Sequence, residues 1–186
     1  MRERWLSTLD PGETEQAIRD TWAAAQAERD KNEKGTLLEQ PMVLLFKSVP
    51  GTHHLWTRVR NEVEEIDLLV LNESADPLRK KESTCFLVEC KNWSDHVGTK
   101  EVRELWGEME AHHKRCRLAF FVAAGGFAKG VRDEQRGPSR DDRMIIFTGP
   151  GDLDELVRSG DRNAFLKEMH RRAAFPGDPA GGEPTV

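Results

Sequence analysis

Charged side chains interrupt two apolar segments of the sequence. Glu89 and Lys91 lie near the end of residues 83–91, STCFLVECK, which read as a β-strand. Side chains two positions apart on a strand point to the same face, so Glu89 and Lys91 project together. An unpaired charge inside an apolar strand is costly, whereas an adjacent carboxylate and ammonium offset each other's cost. We therefore expect a charged pair at a strand end, where a metal ion can also hold the carboxylate.

A third charged residue, Asp67, opens the run LLVL within residues 65–71, where a core strand would place another aliphatic side chain. The polar residues 72–81, which include Pro77, read as a hairpin loop, so the two strands are expected to be neighbours. Adjacent strands lie about 4.8 Å apart, and two carboxylates at that separation repel unless a cation lies between them. The register of Asp67 against Glu89 is left open by the sequence.

Two carboxylates and a lysine are suited to one kind of chemistry. Hard oxygen ligands with open coordination positions favour Mg²⁺, for which Mn²⁺ can substitute. Such an ion lowers the pKa of a bound water and stabilises charge on a phosphate. A nearby lysine orients that water or stabilises the transition state. Together these groups indicate hydrolysis of a phosphodiester.

The elements that position these residues follow from periodicity and turn signals. Predicted strands cover residues 54–60, 65–71, 83–91, 117–124 and 144–147, the first three as an antiparallel meander. Predicted helices cover residues 13–30, 36–46, 99–114, 127–135, 152–158 and 163–172. Residues 31–35 are expected to form a break between the first two helices, and Pro41 is expected to lie in the first turns of the second helix. The order indicates an α/β fold with a mixed central sheet flanked by helices.

A resemblance to a known family enters with these motifs. Glu65-Ile66-Asp67 followed by residues 89–93, ECKNW, resembles the D…ExK motif of PD-(D/E)xK nucleases, and more closely the Mrr-like restriction endonuclease group. Residues 35–39, GTLLE, are similar to the first core helix of that family. Residues 100–107 and 120–129 are similar to the helix and the strand that follow the motif. The resemblance covers about residues 35–135 and implies a restriction-endonuclease-like core.

The resemblance also implies roles for individual residues. Asp67, Glu89 and the backbone carbonyl of Cys90 would bind the metal, Lys91 would be the catalytic lysine, and Glu39 would be an outer or second-metal ligand. For Asp67, Glu89 and Lys91 the alternative is an ion-pair cluster in an inactive relative. For Glu39 it is a solvated helix residue.

The implied function is a Mg²⁺-dependent endodeoxyribonuclease of the restriction or phage-defence type. Two alternatives stay open. In the first, the chain is a catalytically silent subunit that binds nucleic acid or scaffolds a defence complex. In the second, it is an RNA or repair nuclease on the same fold. Nothing in the sequence looks like a separate DNA-reading domain, which suggests a partner protein for target recognition or activation. A homodimer is a further expectation, with the first helix as its candidate interface.

The predicted organisation is an N-terminal helical extension over residues 1–34, a nuclease domain over 35–174 and a disordered tail over 175–186. Residues 100–140 hold nine Lys and Arg against six Asp and Glu. Lys129, Arg132 and Arg136 are therefore candidate phosphate contacts, with a solvated helical face as the equal alternative. His112, His113 and Cys116 lack a fourth ligand at a usual zinc spacing.

The overall composition restricts the class of protein. The net charge of −5 argues against a general nucleic-acid coating protein, although a local basic cleft is compatible with it. Three cysteines imply no disulfide framework and a reducing compartment. No segment resembles a signal peptide or reaches the length of a membrane span. We expect a cytoplasmic protein without a membrane partner.

Overall fold

A computed structural model describes residues 11–28, 31–52, 54–60, 65–111, 116–131 and 142–175. In this part of the chain two helices precede three consecutive strands, and one helix, two strands and two helices follow. In chain order the elements are α1 Pro11–Ala27, α2 Lys31–Lys47, β1 Leu55–Arg60, β2 Glu65–Leu71, a 3₁₀ turn Arg79–Lys81, β3 Cys85–Lys91, α3 Thr99–Ala111, β4 Cys116–Ala123, β5 Met144–Thr148, α4 Pro150–Arg158 and α5 Arg162–Ala174.

The five strands form one mixed sheet in the order β1-β2-β3-β4-β5. The first two pairs are antiparallel, which confirms the predicted meander, and the pairs β3-β4 and β4-β5 are parallel. The parallel pairs are built by crossovers through α3 and through residues 124–143, of which 132–141 lie outside the described residues. The α/β fold with a mixed sheet flanked by helices is therefore confirmed.

Each face of the sheet carries its own hydrophobic cluster. Alternate side chains of β3 and β4 point to opposite faces, and β4 is apolar on both because both are covered. Helix α3 covers one face with Val102, Leu105 and Met109. The other face is covered by α1, α2, α4 and α5, whose buried residues include Ile18, Trp22, Leu38, Met42, Leu45, Leu153, Leu156, Leu166 and Met169.

Helix α2 begins earlier than the sequence indicated. The expected break over residues 31–35 is wrong, since the helix runs from Lys31 to Lys47, and Pro41 lies in its interior rather than in its first turns. Lysine and glutamate are good helix formers, and a single glycine such as Gly35 costs only about 1 kcal/mol. Proline removes one backbone hydrogen bond, and the complete burial of Leu38, Met42 and Leu45 offsets that loss.

Helix α1 is built into the core of the chain. Ile18, Trp22 and Ala25 are buried against the rest of the protein, and the Trp22 Nε1–H donates to Asp154 at 2.9 Å. Arg162 of α5 donates to both carboxylate oxygens of Glu15, at 2.5 and 2.8 Å. The apolar residues of α1 are thus used within the chain, whereas the domain boundary at residue 34 and the homodimer stay predictions.

Two further expectations have mixed outcomes. The helix expected over residues 127–135 does not begin at Phe127, which forms an isolated parallel bridge with Val97. Val131 is helical, and residues 132–135 lie outside the described residues. The predicted tail over 175–186 also lies outside them, apart from Phe175. None of the described helices is both long and apolar enough to cross a membrane.

Candidate active site

The candidate site lies at the end of the sheet where β2 begins and β3 ends. The paired residues of these strands run from Leu71 and Cys85 to Leu68 and Val88. Asp67 and Glu89 are the next positions outward, so each is placed next to the other. The register that the sequence left open therefore brings the two carboxylates together.

The strand geometry changes at Asp67. In a regular strand the side chains of residues 66, 68 and 70 would share one face. Here Ile66 packs in the cluster under α3, while Leu68 and Val70 pack in the cluster on the opposite face. The ladder with β1 also omits Asp67, since it pairs residues 57 with 68 and 59 with 66. At this irregularity the Asp67 side chain departs from the alternating pattern of the strand, and its carboxylate reaches Cys90 near the end of β3.

The Asp67 carboxylate is anchored by the backbone of β3. Its Oδ2 accepts a hydrogen bond from the Cys90 N–H at 2.8 Å. Burial and the negative charge of Glu89 raise the pKa of Asp67 to about 7, against the lowering effect of that hydrogen bond. Burial and Glu89 therefore disfavour the ionised form of Asp67, and a nearby cation would stabilise that form.

Glu89 and Lys91 form the expected pair. The Lys91 Nζ lies 2.5 Å from Glu89 Oε1, and both side chains are largely buried. Burial raises the pKa of Glu89, and the Lys91 ammonium opposes that rise. For Lys91 the burial cost is outweighed by the Glu89 carboxylate, which holds the pKa of the ammonium above its usual value. Lys91 is therefore a permanent cation at neutral pH.

Glu39 reaches the same end of the sheet from α2. It is buried, at 9% exposure, and its charge raises the pKa of both Asp67 and Glu89. Its two carboxylate oxygens accept hydrogen bonds from the Arg58 guanidinium of β1, each at 3.1 Å. The alternative of a solvated helix residue is wrong for Glu39, because its side chain is only 11% exposed and is paired with the Arg58 guanidinium, whose side chain is 46% exposed.

Two residues near the site, Arg58 and Glu104, have no role that the sequence assigns, whereas Trp93 is expected either to cover the site or contact substrate or simply to pack. The sequence places Arg58 only within the predicted strand over residues 54–60. Glu104 of α3 lies close enough for its charge to raise the pKa of Glu89. Trp93 is 46% exposed, and the Lys91 Nζ lies 5.6 Å from its ring centroid. A signal for Arg58 was present, since a buried acidic residue such as Glu39 requires a cation.

The loop after β3 is tied to two other elements. The buried Asn92 side chain donates to the Ala25 carbonyl at the end of α1 at 3.0 Å. Across the loop, a Cβ on Gly125 would lie 2.5 Å from the Trp93 carbonyl oxygen and 2.7 Å from that of Asp95. Only glycine permits this close approach, so the loop that carries Trp93 is held against the turn after β4.

The predicted nucleic-acid contacts are described only in part. Lys129 is exposed in the turn that follows β4. The parallel pairing of Lys91 with Ala123 places the end of β4 beside the end of β3, so Lys129 lies at the same end of the sheet as the candidate site. Arg132 and Arg136 lie outside the described residues, as do His112 and His113 of the rejected zinc site.

The donor atoms at this end of the sheet fit a small divalent cation. Within the described residues no three side chains of His, Cys, Asp and Glu are arranged as a set of metal ligands. Two carboxylates are nonetheless adjacent, and Mg²⁺ commonly binds one or two carboxylates and retains several waters. Asp67 and Glu89 occupy neighbouring positions just beyond the last pair of the β2-β3 ladder, and because like charges repel, this placement favours a cation between them.

Comparison with known proteins identifies the family. A family model described as a restriction endonuclease, Mrr_cat, matches residues 51–156, which is more than half of the chain. The chain belongs to the Mrr-type restriction endonuclease family. This confirms the resemblance drawn from the motifs and assigns the chain a nuclease domain of restriction-endonuclease type. The matched segment of the Mrr-type family includes Asp67, Glu89 and Lys91, whereas Glu39 precedes it.

A solved structure is also similar to this chain. It is described as the DNA modification-dependent restriction endonuclease AspBHI, with 16% identity and a TM-score of 0.49. The similarity covers 89% of this chain and 41% of that chain, so this Mrr-type chain spans less than half the length of that protein. No curated protein matches the chain.

Proposed function

We propose that this Mrr-type protein is a divalent-metal-dependent endonuclease that hydrolyses phosphodiester bonds in DNA, as enzymes of restriction or phage defence do. The observation that carries the proposal is the placement of Asp67, Glu89 and Lys91 together at one end of the sheet. Carboxylates beside an ammonium at this position suit phosphodiester hydrolysis, and the family match supports the same reaction class.

Asp67 and Glu89 are the proposed ligands of Mg²⁺ or Mn²⁺. The Cys90 carbonyl is proposed as a third ligand, because the N–H and carbonyl of one strand residue point to the same side. The Cys90 N–H points to Asp67, and Cys90 lies beyond the last pair of the β2-β3 ladder. When bound, the ion would supply a water of lowered pKa and would stabilise charge on the phosphate.

Lys91 is proposed to act as a fixed positive charge rather than as a base. Its raised pKa keeps it protonated, so it is suited to donate hydrogen bonds to a phosphate oxygen and to orient the attacking water. Glu89 holds the ammonium in place through the 2.5 Å contact. The burial of both side chains strengthens these interactions, since water screens them less.

The test is cleavage of supercoiled plasmid by the purified protein in Mg²⁺, Mn²⁺ or EDTA, beside Glu89→Ala and Lys91→Ala. We expect metal-dependent nicking, reduced at least about 10³-fold in each variant because each removes a group that stabilises the transition state. Arg158→Ala, a change at an exposed ion pair, serves as the matched control and should retain the wild-type rate. Cleavage that persists in both site variants, or in EDTA, would refute the proposal.

A further inference from the structure

We propose that the Arg58 guanidinium is a built-in cation that takes the place of a second metal ion beside Glu39, so that the site binds a single divalent ion. The proposal rests on the proposed function of Asp67 and Glu89 as metal ligands. It assigns Glu39 to Arg58 rather than to a metal, which differs from the role that the family resemblance implies for this residue.

The contact between Arg58 and Glu39 engages both carboxylate oxygens. Arg58 Nε donates to Oε2 and Nη2 donates to Oε1, each at 3.1 Å, and Nη2 also donates to the Thr36 hydroxyl. Two parallel charge-assisted hydrogen bonds form the geometry that a guanidinium and a carboxylate prefer. The Glu39 side chain is only 11% exposed, so its charge depends on this partner.

A metal ion bound by Glu39 would have to lie against the guanidinium or displace it. Two cations side by side repel each other strongly in a partly buried site. The Glu39 carboxylate raises the pKa of Arg58, with further contributions from Glu65 and Asp67, so this positive charge is permanent. The Glu39 carboxylate therefore already has a cationic partner before any ion enters the site.

The backbone conformation directs Arg58 to this position. Arg58 has a φ of 51°, and among the described residues it is the one position other than glycine with positive φ. It lies opposite Asp67, and the ladder between β1 and β2 omits both positions. Strained backbone conformations persist where the surrounding structure requires them, often at functional sites. One irregularity thus delivers both the Asp67 carboxylate and the Arg58 guanidinium to the site.

The balance of charge leaves room for one divalent ion. Of the three carboxylates from α2, β2 and β3, Glu39 is held by Arg58 through both oxygens, whereas Lys91 lies against one oxygen of Glu89, Oε1. Asp67 receives a hydrogen bond from the neutral Cys90 N–H. A single divalent ion beside Asp67 and Glu89 would give this set of charges a net positive charge, which attracts a phosphodiester, and none of these three carboxylates would then be left for a second ion.

The experiment measures how many Mn²⁺ ions the full chain binds, by titration calorimetry and by electron paramagnetic resonance of free Mn²⁺. The variants are Arg58→Asn and Glu39→Gln, with Arg158→Asn as a control at another arginine–carboxylate pair. Asparagine is chosen because it tolerates the left-handed conformation of residue 58. Circular dichroism establishes that each variant is folded.

We expect one Mn²⁺ in the wild type and in Arg158→Asn, and two in Arg58→Asn, where Glu39 is released as a ligand. Glu39→Gln should still bind one ion, because it removes no ligand, but more weakly than the wild type, because it leaves the Arg58 charge without its carboxylate partner. Two ions in the wild type, one in folded Arg58→Asn, or loss of binding in Glu39→Gln would each overturn the inference. If Arg58→Asn does not fold, Glu39→Gln decides. A wild type that binds no Mn²⁺ would instead refute the proposed function itself.

Discussion

The stability of the fold and the proposed reaction favour opposite protonation states of the Asp67 carboxyl group. Its carboxylate is partly buried beside Glu89, and its pKa is raised to about 7. The metal requires the ionised form, whereas the fold without metal favours the protonated one. Functional sites commonly hold such groups at a cost to stability, and an altered pKa in a cluster of charged groups marks them. Glu39, Glu89 and Lys91 set this environment.

Replacement of Asp67 by asparagine should therefore stabilise the metal-free protein. Between about pH 4 and pH 7 the folded state retains a proton on Asp67 that the unfolded state releases, so the unfolding free energy of the wild type falls as pH rises. The Asp67→Asn variant has no such loss and can still accept from the Cys90 N–H. We expect its Tm in EDTA to exceed that of the wild type above pH 7 by a few °C, at about 2–4 °C per kcal/mol, and to match it near pH 4.

Scanning calorimetry across this pH range measures the difference, and Glu89→Gln provides the contrast. That change leaves the Lys91 ammonium without its carboxylate partner, so it should not raise the Tm. Equal Tm values for Asp67→Asn and the wild type above pH 7 would show that the ionised Asp67 carboxylate does not destabilise the fold.

At the scale of elements, the site depends on how the ends of β3 and β4 are joined. The Ala124 N–H donates to the Lys91 carbonyl at 3.0 Å, and Val97 pairs with Phe127. The loop over residues 92–98 is thereby held against the turn after β4. Asn92 ties the same loop to α1. The position of Trp93 beside Lys91 is therefore determined by two other elements, α1 and the turn after β4.

A methyl group at Gly125 should disturb this arrangement. Its Cβ would meet the backbone oxygens of Trp93 and Asp95 at 2.5 and 2.7 Å, so the loop must move. Displacement of a catalytic group by about 1 Å can cost on the order of 100-fold in rate. We expect Gly125→Ala to nick plasmid about 10-fold to 100-fold more slowly than the wild type.

Gly107→Ala is the matched control, because no atom lies within 4 Å of its added Cβ and residue 107 is inside α3. It should keep the wild-type nicking rate and gain about 0.5–1 kcal/mol of stability. Equal rates for Gly125→Ala and Gly107→Ala would mean that the loop over residues 92–98 does not position the site.

The whole molecule is acidic, with a net charge of −5, although its proposed substrate is a polyanion. Contact with DNA must therefore come from local cations. Among the candidates, Lys129 is exposed at the end of the sheet that holds the site. Lys80 is also exposed, but it lies in the 3₁₀ turn before β3, at the opposite end. Replacing either lysine changes the net charge by the same amount, but only Lys129 lies near the site. Comparing the two variants therefore distinguishes an effect of local charge from an effect of net charge.

Lys129→Ala should weaken DNA binding alike for all sequences and reduce its dependence on salt. Each phosphate contact contributes about 0.9 to the slope of log K against log salt, so one lost contact lowers that slope by about this amount. Lys80→Ala should leave the slope unchanged. Fluorescence anisotropy of labelled duplex DNA with Ca²⁺ in place of Mg²⁺ gives both slopes. Identical slopes for the two variants would exclude Lys129 as a phosphate contact.

Much of the architecture was readable from the sequence because secondary structure follows from local periodicity. Strand β2 occupies the predicted residues, and β3 ends at the predicted Lys91. The family was indicated by a resemblance of the strings EID, over residues 65–67, and ECKNW, over residues 89–93, together with the order of the elements, and the family match confirms it. The start of α2 was predicted wrongly, because the burial of its later turns outweighs the local cost of Gly35 and Pro41.

The sequence by itself determined the mixed α/β fold, the chemically active residue types and the family, since these depend on patterns within a few residues. Only the tertiary structure decided that Glu39 is held by Arg58, that the strand faces exchange at Asp67, and that α1 supports the loop after β3. Each of these contacts joins residues far apart in the chain. Such contacts depend on strand register and on the packing of helices against the sheet, which local patterns do not encode.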